Sequence, residues 1–185
     1  TSQIDRKKVK KFEKKTIGSG FFVPSRLAGR DHCDKTIVYS VSHLTAKINS
    51  YEIAEDDDGE DPEWKYREIV SVKYRITPWG DPKHYYEAKV IGDGPDRDLC
   101  VFETNIPQKY YKTAKLGDPN KLNVGDPICI CGYPVPTGMT FTKGIVTGLK
   151  KRLGMFYLET YIQTDAHINH GNSGGPAFNK DGEVV

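Results

Sequence analysis

The stretch Ile69-Val70-Ser71-Val72-Lys73-Tyr74-Arg75-Ile76 puts Val70, Val72, Tyr74 and Ile76 on one face and Ser71, Lys73 and Arg75 on the other. A period of two is what a strand with one buried face requires, because successive side chains leave a pleated backbone on opposite sides. Shorter runs of the same kind at 17–23, 36–43, 84–91, 99–103, 127–132, 139–148 and 155–163 predict strands from one end to the other. Between them Gly92-Asp93-Gly94-Pro95, Gly117-Asp118-Pro119-Asn120, Gly125-Asp126-Pro127 and the segment 134–138 read as turns. Many short strands, scarce helix signals and no internal repeat predict an all-β sandwich or barrel.

A chain of 185 residues has room for one sizeable domain or two small barrels, but not for an independent appended module. At 37% hydrophobic it can bury a core under a charged surface, which excludes wholesale disorder. No apolar run approaches the ~18 residues of a membrane-spanning helix, so no membrane span is expected, and no signal-peptide pattern opens the chain. With 27 Lys+Arg against 25 Asp+Glu, the net charge of +2 speaks neither for nor against nucleic acid. The basic run at 6–15 reads as a solvated lead-in, with a nucleic-acid or anionic-surface patch as its alternative; nucleic acid is not expected as the main partner. The acidic run at 55–61 misses the calcium-loop spacing and reads as a surface loop.

Four cysteines, Cys33, Cys100, Cys129 and Cys131, are expected as reduced core residues. Cys129 and Cys131 alternate with Ile128 and Ile130. Two positions along a strand lie about 6.5–7 Å apart, the outer limit for a disulfide. The close second pair that a zinc site needs is missing, so no metal is expected. Reduced thiols, with no glycosylation sequon, lean towards a reducing intracellular compartment.

Gly171-Asn172-Ser173-Gly174-Gly175-Pro176 is the stretch richest in chemistry. A serine between glycines is sterically open, and its neighbours' N–H groups can converge on one point. Acyl transfer needs that combination of reachable hydroxyl and aimed donors, although an ordinary hairpin turn has the same look. A hydroxyl needs a base held rigidly. Among His32, His43, His84, His167 and His170, only His43 ends a strongly apolar run, Thr36-Ile37-Val38-Tyr39-Ser40-Val41-Ser42-His43. Asp98 precedes Leu99-Cys100-Val101-Phe102, where a carboxylate at a strand start can be buried against the imidazole and fix its tautomer; Asp96 is the rival.

These residues resemble the trypsin-like, chymotrypsin-fold serine peptidases, specifically the HtrA/Deg-type branch. The matching segments are Gly18-Ser19-Gly20-Phe21-Phe22-Val23, Val41-Ser42-His43-Leu44, Asp98-Leu99-Cys100-Val101, Gly144-Ile145-Val146, and Ile162-Gln163-Thr164-Asp165-Ala166 leading to Gly171–Pro176 and Asp181-Gly182-Glu183-Val184-Val185. The resemblance implies two antiparallel six-stranded β-barrels, the second incomplete at its C-terminal end. It suggests a basic lead-in at 1–15, a first barrel at 16–110 with an acidic insertion at about 52–65, a linker at 111–126 and a second barrel at 127–185.

The resemblance further implies a serine endopeptidase working through a Ser-His-Asp triad and an acyl-enzyme, without cofactor. Its substrates would be proteins or peptides, and oligomerisation stays open. Ser173 would be the nucleophile, His43 the general base and then acid, and Asp98 the residue that orients the ring. The N–H groups of Gly171 and Ser173 would form the oxyanion hole. His167, Ile168, Asn169 and His170 would line the substrate pocket. His167 and His170 stand where relatives carry a small residue and a proline, which suggests a preference for polar or acidic side chains. Asn172 replaces the aspartate that pairs with a new N-terminus in digestive-type relatives, so no zymogen switch of that kind is expected. The alternative is a peptide-binding module with this fold and little turnover.

Overall fold

The computed structural model describes residues 16–28, 35–45, 51–53, 66–68, 71–134, 138–151 and 161–185. The basic run at 6–15, the acidic run at 55–61, His32 and Cys33 lie outside them. Within the described residues the chain is built of strands and short 3-10 turns, with no α-helix and so no helix long and apolar enough to cross a membrane.

Five strands form the first sheet: β1 (Phe21–Val23), β2 (Thr36–Ser40), β5 (Tyr74–Ile76), β6 (Tyr86–Gly94) and β7 (Leu99–Thr104), in the order β1-β2-β7-β6-β5. Strands β3 (Tyr51–Ile53) and β4 (Tyr66–Glu68) pair with each other as a separate antiparallel ribbon. The second sheet is β10 (Tyr161–Thr164), β9 (Thr140–Lys151), β8 (Pro127–Gly132) and β11 (Ala177–Phe178), in that order. All these pairings are antiparallel.

Each sheet curls around its own core. Val38, Cys100 and Phe102 centre the first, with Phe22, Tyr74, Ile76, Ala88 and Val90 packed against them. Leu122, Ile128, Ile130, Val146 and Ala166 form the second, flanked by Leu149, Ile162, Ala177 and Val185. Strand β2 is hydrogen-bonded on both edges, and Thr36, Ile37 and Val38 in succession are buried, which is why it reads as a continuous apolar run rather than an alternation. The polar groups it buries are satisfied locally: Thr36 Oγ1 donates to the Ile106 carbonyl at 2.8 Å. Two separate cores of antiparallel strands match the double barrel implied by the resemblance. The described strands number five and four in the two main sheets, short of six and six.

Several strand boundaries differ from the sequence reading. The alternation at 71–76 keeps its faces, but ladder bonding begins only at Tyr74, because β5 is an edge strand with a partner on one side alone. Strand β2 stops at Ser40, and His43 sits instead on a 3-10 turn, Ser42–Leu44. The glycines at 92 and 94 belong to strand β6 and not to a turn; the chain reverses later, on the 3-10 turn Pro95–Arg97. Of the run at 155–163, residues 155–160 lie outside the described residues and the rest is β10.

The two sheets are joined through 105–126 and by the last residues of the chain. Gly117 N–H donates to the Val184 carbonyl at 2.8 Å and Val184 N–H to the Lys115 carbonyl at 2.8 Å. An ion pair between Lys115 and Glu183 flanks this seam.

Candidate active site

The turn after β2 and the start of β7 bring His43 and Asp98 together. The 3-10 turn Pro95–Arg97 ends on Asp98, whose φ of 50° and ψ of 43° are left-handed, a conformation that aspartate tolerates better than most residues. So placed, its carboxylate grips residue 43 twice. One oxygen accepts the His43 backbone N–H at 2.8 Å, and the other lies 2.7 Å from Nδ1 of the ring. With Nδ1 bound to a carboxylate, Nε2 is left as the acceptor facing outward, the tautomer a general base needs. The pair is not sealed from water as the sequence reading expected: the side chains of His43 and Asp98 are 52% and 45% exposed. The rival Asp96 sits exposed on the preceding turn, and His84 is engaged elsewhere, with Asp81 at 2.7 Å.

The serine turn is folded against the first sheet. Ser19 N–H donates to the Ser173 carbonyl at 2.7 Å. Ser19 Oγ donates to the Gly171 carbonyl at 2.6 Å and accepts the Tyr133 N–H at 2.8 Å. Ser40 Oγ, at the end of β2, donates to the Ser19 carbonyl at 2.6 Å. Gly174 has φ +82°, and a Cβ there would collide with the Ser19 carbonyl and Ser40 Oγ, so both its conformation and its clearance demand glycine. Gly18 is pressed between Leu44 and the Ser173 carbonyl. Leu44, the residue after His43, and the Ser173 carbonyl thus both pack against Gly18.

Within the turn, Asn172 N–H donates to the Asn169 carbonyl at 3.1 Å and Gly175 N–H to the Asn172 carbonyl at 2.8 Å. Among the described residues, the N–H groups of Gly171 and Ser173 find no acceptor. His43 hydrogen-bonds Asp98 and, in this conformation, not Ser173. His167, Ile168, Asn169 and His170 are all exposed, Ile168 at 60%.

Four residues that the sequence reading gave no role are part of this architecture: Ser19, Ser40, Ser42 and Asp93. Ser19 lay inside the Gly18-Ser19-Gly20 segment, and only the fold reveals that its hydroxyl bonds Gly171 and Tyr133, over a hundred positions away. Ser42 Oγ donates to an Asp93 carboxylate oxygen. Ser42, His43, Thr45, Asp93, Pro95 and Asp98 line one open depression.

The trypsin-like peptidase domain family matches residues 18–185. The chain is 33% identical over 169 residues to a probable periplasmic serine endoprotease, DegP-like, of Bartonella henselae, covering 91% of this chain and 27% of that protein. A protein of the same description from Brucella suis is 42% identical over 99 residues, 54% of this chain and 19% of its own length. The periplasmic pH-dependent serine endoprotease DegQ of Escherichia coli is 41% identical over 118 residues, 63% of this chain and 26% of its own length. The chain therefore spans roughly a fifth to a quarter of the curated relatives it matches. Among solved structures, the HtrA-type protease AlgW with a decapeptide superposes with a TM-score of 0.60 at 25% identity, over 80% of this chain and 38% of that one.

These relatives correct one expectation, the reducing intracellular compartment. They are periplasmic by name. The thiols do not argue otherwise, because burial protects them: Cys100 and Cys131 are 0% and 6% exposed, and burial raises both thiols, Cys100 to about 11. Cys100, Cys129 and Cys131 are free. Being unpaired is a property of their place in the strands and carries no information on the compartment.

Proposed function

Since the chain belongs to the trypsin-like peptidase family, on its HtrA/Deg branch, we propose that it is a serine endopeptidase in which Ser173, His43 and Asp98 form the triad. The Ser173 hydroxyl attacks the scissile carbonyl as His43 Nε2 takes its proton. The carbonyl oxygen, now negative, is received by the N–H groups of Gly171 and Ser173. Collapse of this intermediate expels the amine, which leaves with the proton carried by His43, and an acyl-Ser173 remains. Water, deprotonated by the same ring, then attacks the ester and releases the acid. Asp98 holds the ring through Nδ1 and balances the charge of the imidazolium that forms twice in each cycle.

One observation carries the reading: the two-point hold of Asp98 on residue 43, at 2.8 and 2.7 Å, with Gly18 packed between Leu44 and the Ser173 carbonyl. Two N–H groups without acceptors at the serine turn support it. An active-site fluorophosphonate tests it. Stoichiometric labelling of the wild type, abolished in Ser173→Ala and strongly slowed in His43→Ala, is the expected result; absence of labelling in all three overturns it.

The peptide-binding alternative draws on the missing His43–Ser173 hydrogen bond and on the exposure of the ring. Apo triads commonly close only around a substrate, so we favour the enzyme. The stretch 167–170 is assigned to the primary pocket, with a preference for polar or acidic side chains; profiling that selects only Val or Ala would refute that assignment. Following the relatives' names, we infer an extracytoplasmic site of action.

A further inference from the structure

The register of β6 against β7 slips by one residue in the middle. Val90 faces Phe102, but Gly92 faces Val101, Asp93 faces Cys100 and Gly94 faces Leu99, so Ile91 is the extra residue of a bulge. Without it, Gly92 would stand opposite Cys100 and Asp93 opposite Leu99. Directly opposed residues of an antiparallel pair share a face, and a one-residue slip moves each side chain to the other one. Cys100 is fully buried on the inner face, and Leu99 is 42% exposed on the outer. The bulge therefore moves Asp93, which stays exposed, to the register position opposite Cys100 at the sheet's end, where it lines the same depression as His43.

What Asp93 meets there is Ser42, the residue before His43. Ser42 is 6% exposed, and its hydroxyl donates to Asp93. The turn it belongs to lies beyond the end of β2 and has no ladder bonds of its own. It is fastened from the β6–β7 side instead: Ser42 to Asp93, His43 to Asp98, and Cys100 Sγ to the Val41 carbonyl at 3.2 Å. Thr45 closes it from below, with its N–H and Oγ1 both donating to the Ser42 carbonyl at 2.8 Å. Asp98 holds both the ring and the backbone N–H of His43, and the Ser42 hydroxyl gives the turn a further anchor one residue earlier.

We propose that Asp93 is a positioning residue for the reaction: delivered by the β6 bulge, it acts through the Ser42 hydroxyl to set the turn that carries the imidazole. The proposal rests on the peptidase reading for its kinetic consequence and on geometry alone for its structural one. A hydroxyl-to-carboxylate bond is charge-assisted and stronger than a neutral one. Removing Asp93 leaves the buried Ser42 hydroxyl without that acceptor, whereas Asp93 itself is exposed.

The test compares hydrolysis of a peptide by the full chain and its variants. Asp93→Ala and Ser42→Ala are each expected to lower kcat about tenfold, the scale of one charge-assisted hydrogen bond, with KM within about twofold. Because both cut the same link, the double variant should fall no further than either single one. Ser42→Thr, which keeps the hydroxyl, should recover most of the rate, and Asp96→Asn, the same loss of charge three residues on, should leave it unchanged. Asp93→Asn keeps an acceptor oxygen, and should fall between Asp93→Ala and wild type; it also serves if Asp93→Ala does not fold. Wild-type kcat in both alanine variants, or losses that add in the double variant, would overturn the proposal. The NMR resonance of the His43 Nδ1 proton in its bond to Asp98 gives a readout free of turnover. Its disappearance in folded Asp93→Ala supports the proposal and its persistence unchanged overturns it, even if the wild type takes no label at Ser173 and the peptidase reading itself fails.

Discussion

The turn at 171–176 and the turn at 42–44 are held in opposite ways. Around Ser173 the restraints end on main-chain atoms: carbonyls of Gly171 and Ser173, N–H of Ser19 and Tyr133, and a glycine at 174 whose missing side chain is the space that the first sheet occupies. Around His43 they end on carboxylates, Asp98 and Asp93, at a half-exposed rim. A turn fixed by backbone has no slack to absorb added atoms. One fixed by side chains absorbs them easily, but depends on two charges. The first kind suits a nucleophile whose neighbouring N–H groups must point at one spot. The second suits a ring that must take up and give back a proton while the field around it stays constant.

Substitutions can break the comparison. Asp98→Asn should give the largest effect, a loss of roughly 10³–10⁴ in kcat, read from initial rates, because an amide no longer enforces the tautomer. Its melting temperature should stay within a few degrees, since so exposed a pair adds little to stability. Gly174→Ala should hurt both properties: about 1–3 kcal/mol of stability by chemical denaturation, from backbone strain, and most of the labelling rate with it. If it proved harmless, the serine turn would have the slack denied to it here. Ser19→Ala comes next. It deletes one donor and one acceptor at the Gly171–Tyr133 junction, and should cost about tenfold in kcat with little change in KM.

The smallest effect concerns alkaline pH. Burial raises the Cys100 thiol to about 11, and burial together with Asp81 raises Tyr86 to about 12, both above their ordinary values. The folded protein then holds protons that the unfolded chain gives up, so stability declines as pH climbs from about 9 towards 12. Cys100→Ala should flatten the lower part of that decline in a series of urea titrations. It should also leave the native protein's slow alkylation by iodoacetamide at pH 8 unchanged, as neither buried thiol contributes to it.

The parts of this molecule legible from its residues are those where chemistry narrows the choice. A histidine at the end of a strongly apolar run and an aspartate before a strand are few enough in 185 residues to be shortlisted, and the structure pairs His43 with Asp98 over the rival Asp96. The two-barrel fold followed from the resemblance those residues carry, and strand periodicity alone reached only an all-β class. What escaped was whatever depends on a partner strand. The glycines of 92–94 read as a turn because glycine in a run gives the same signal for a reversal and a bulge; only the pairing with β7 separates them. Strand β11 has two residues, too few for any period, and exists because β8 offers it Ile130 and Cys129 as partners. The ribbon of β3 and β4 escaped for the same reason.

Ser19, two residues before β1, secures the loop that precedes β11. It works as a clutch: sliding one sheet past the other by a single residue, about 3.3 Å, would part it from both partners at once. Mechanical shear between the two halves is therefore transmitted through Ser19 to the turn that carries Ser173.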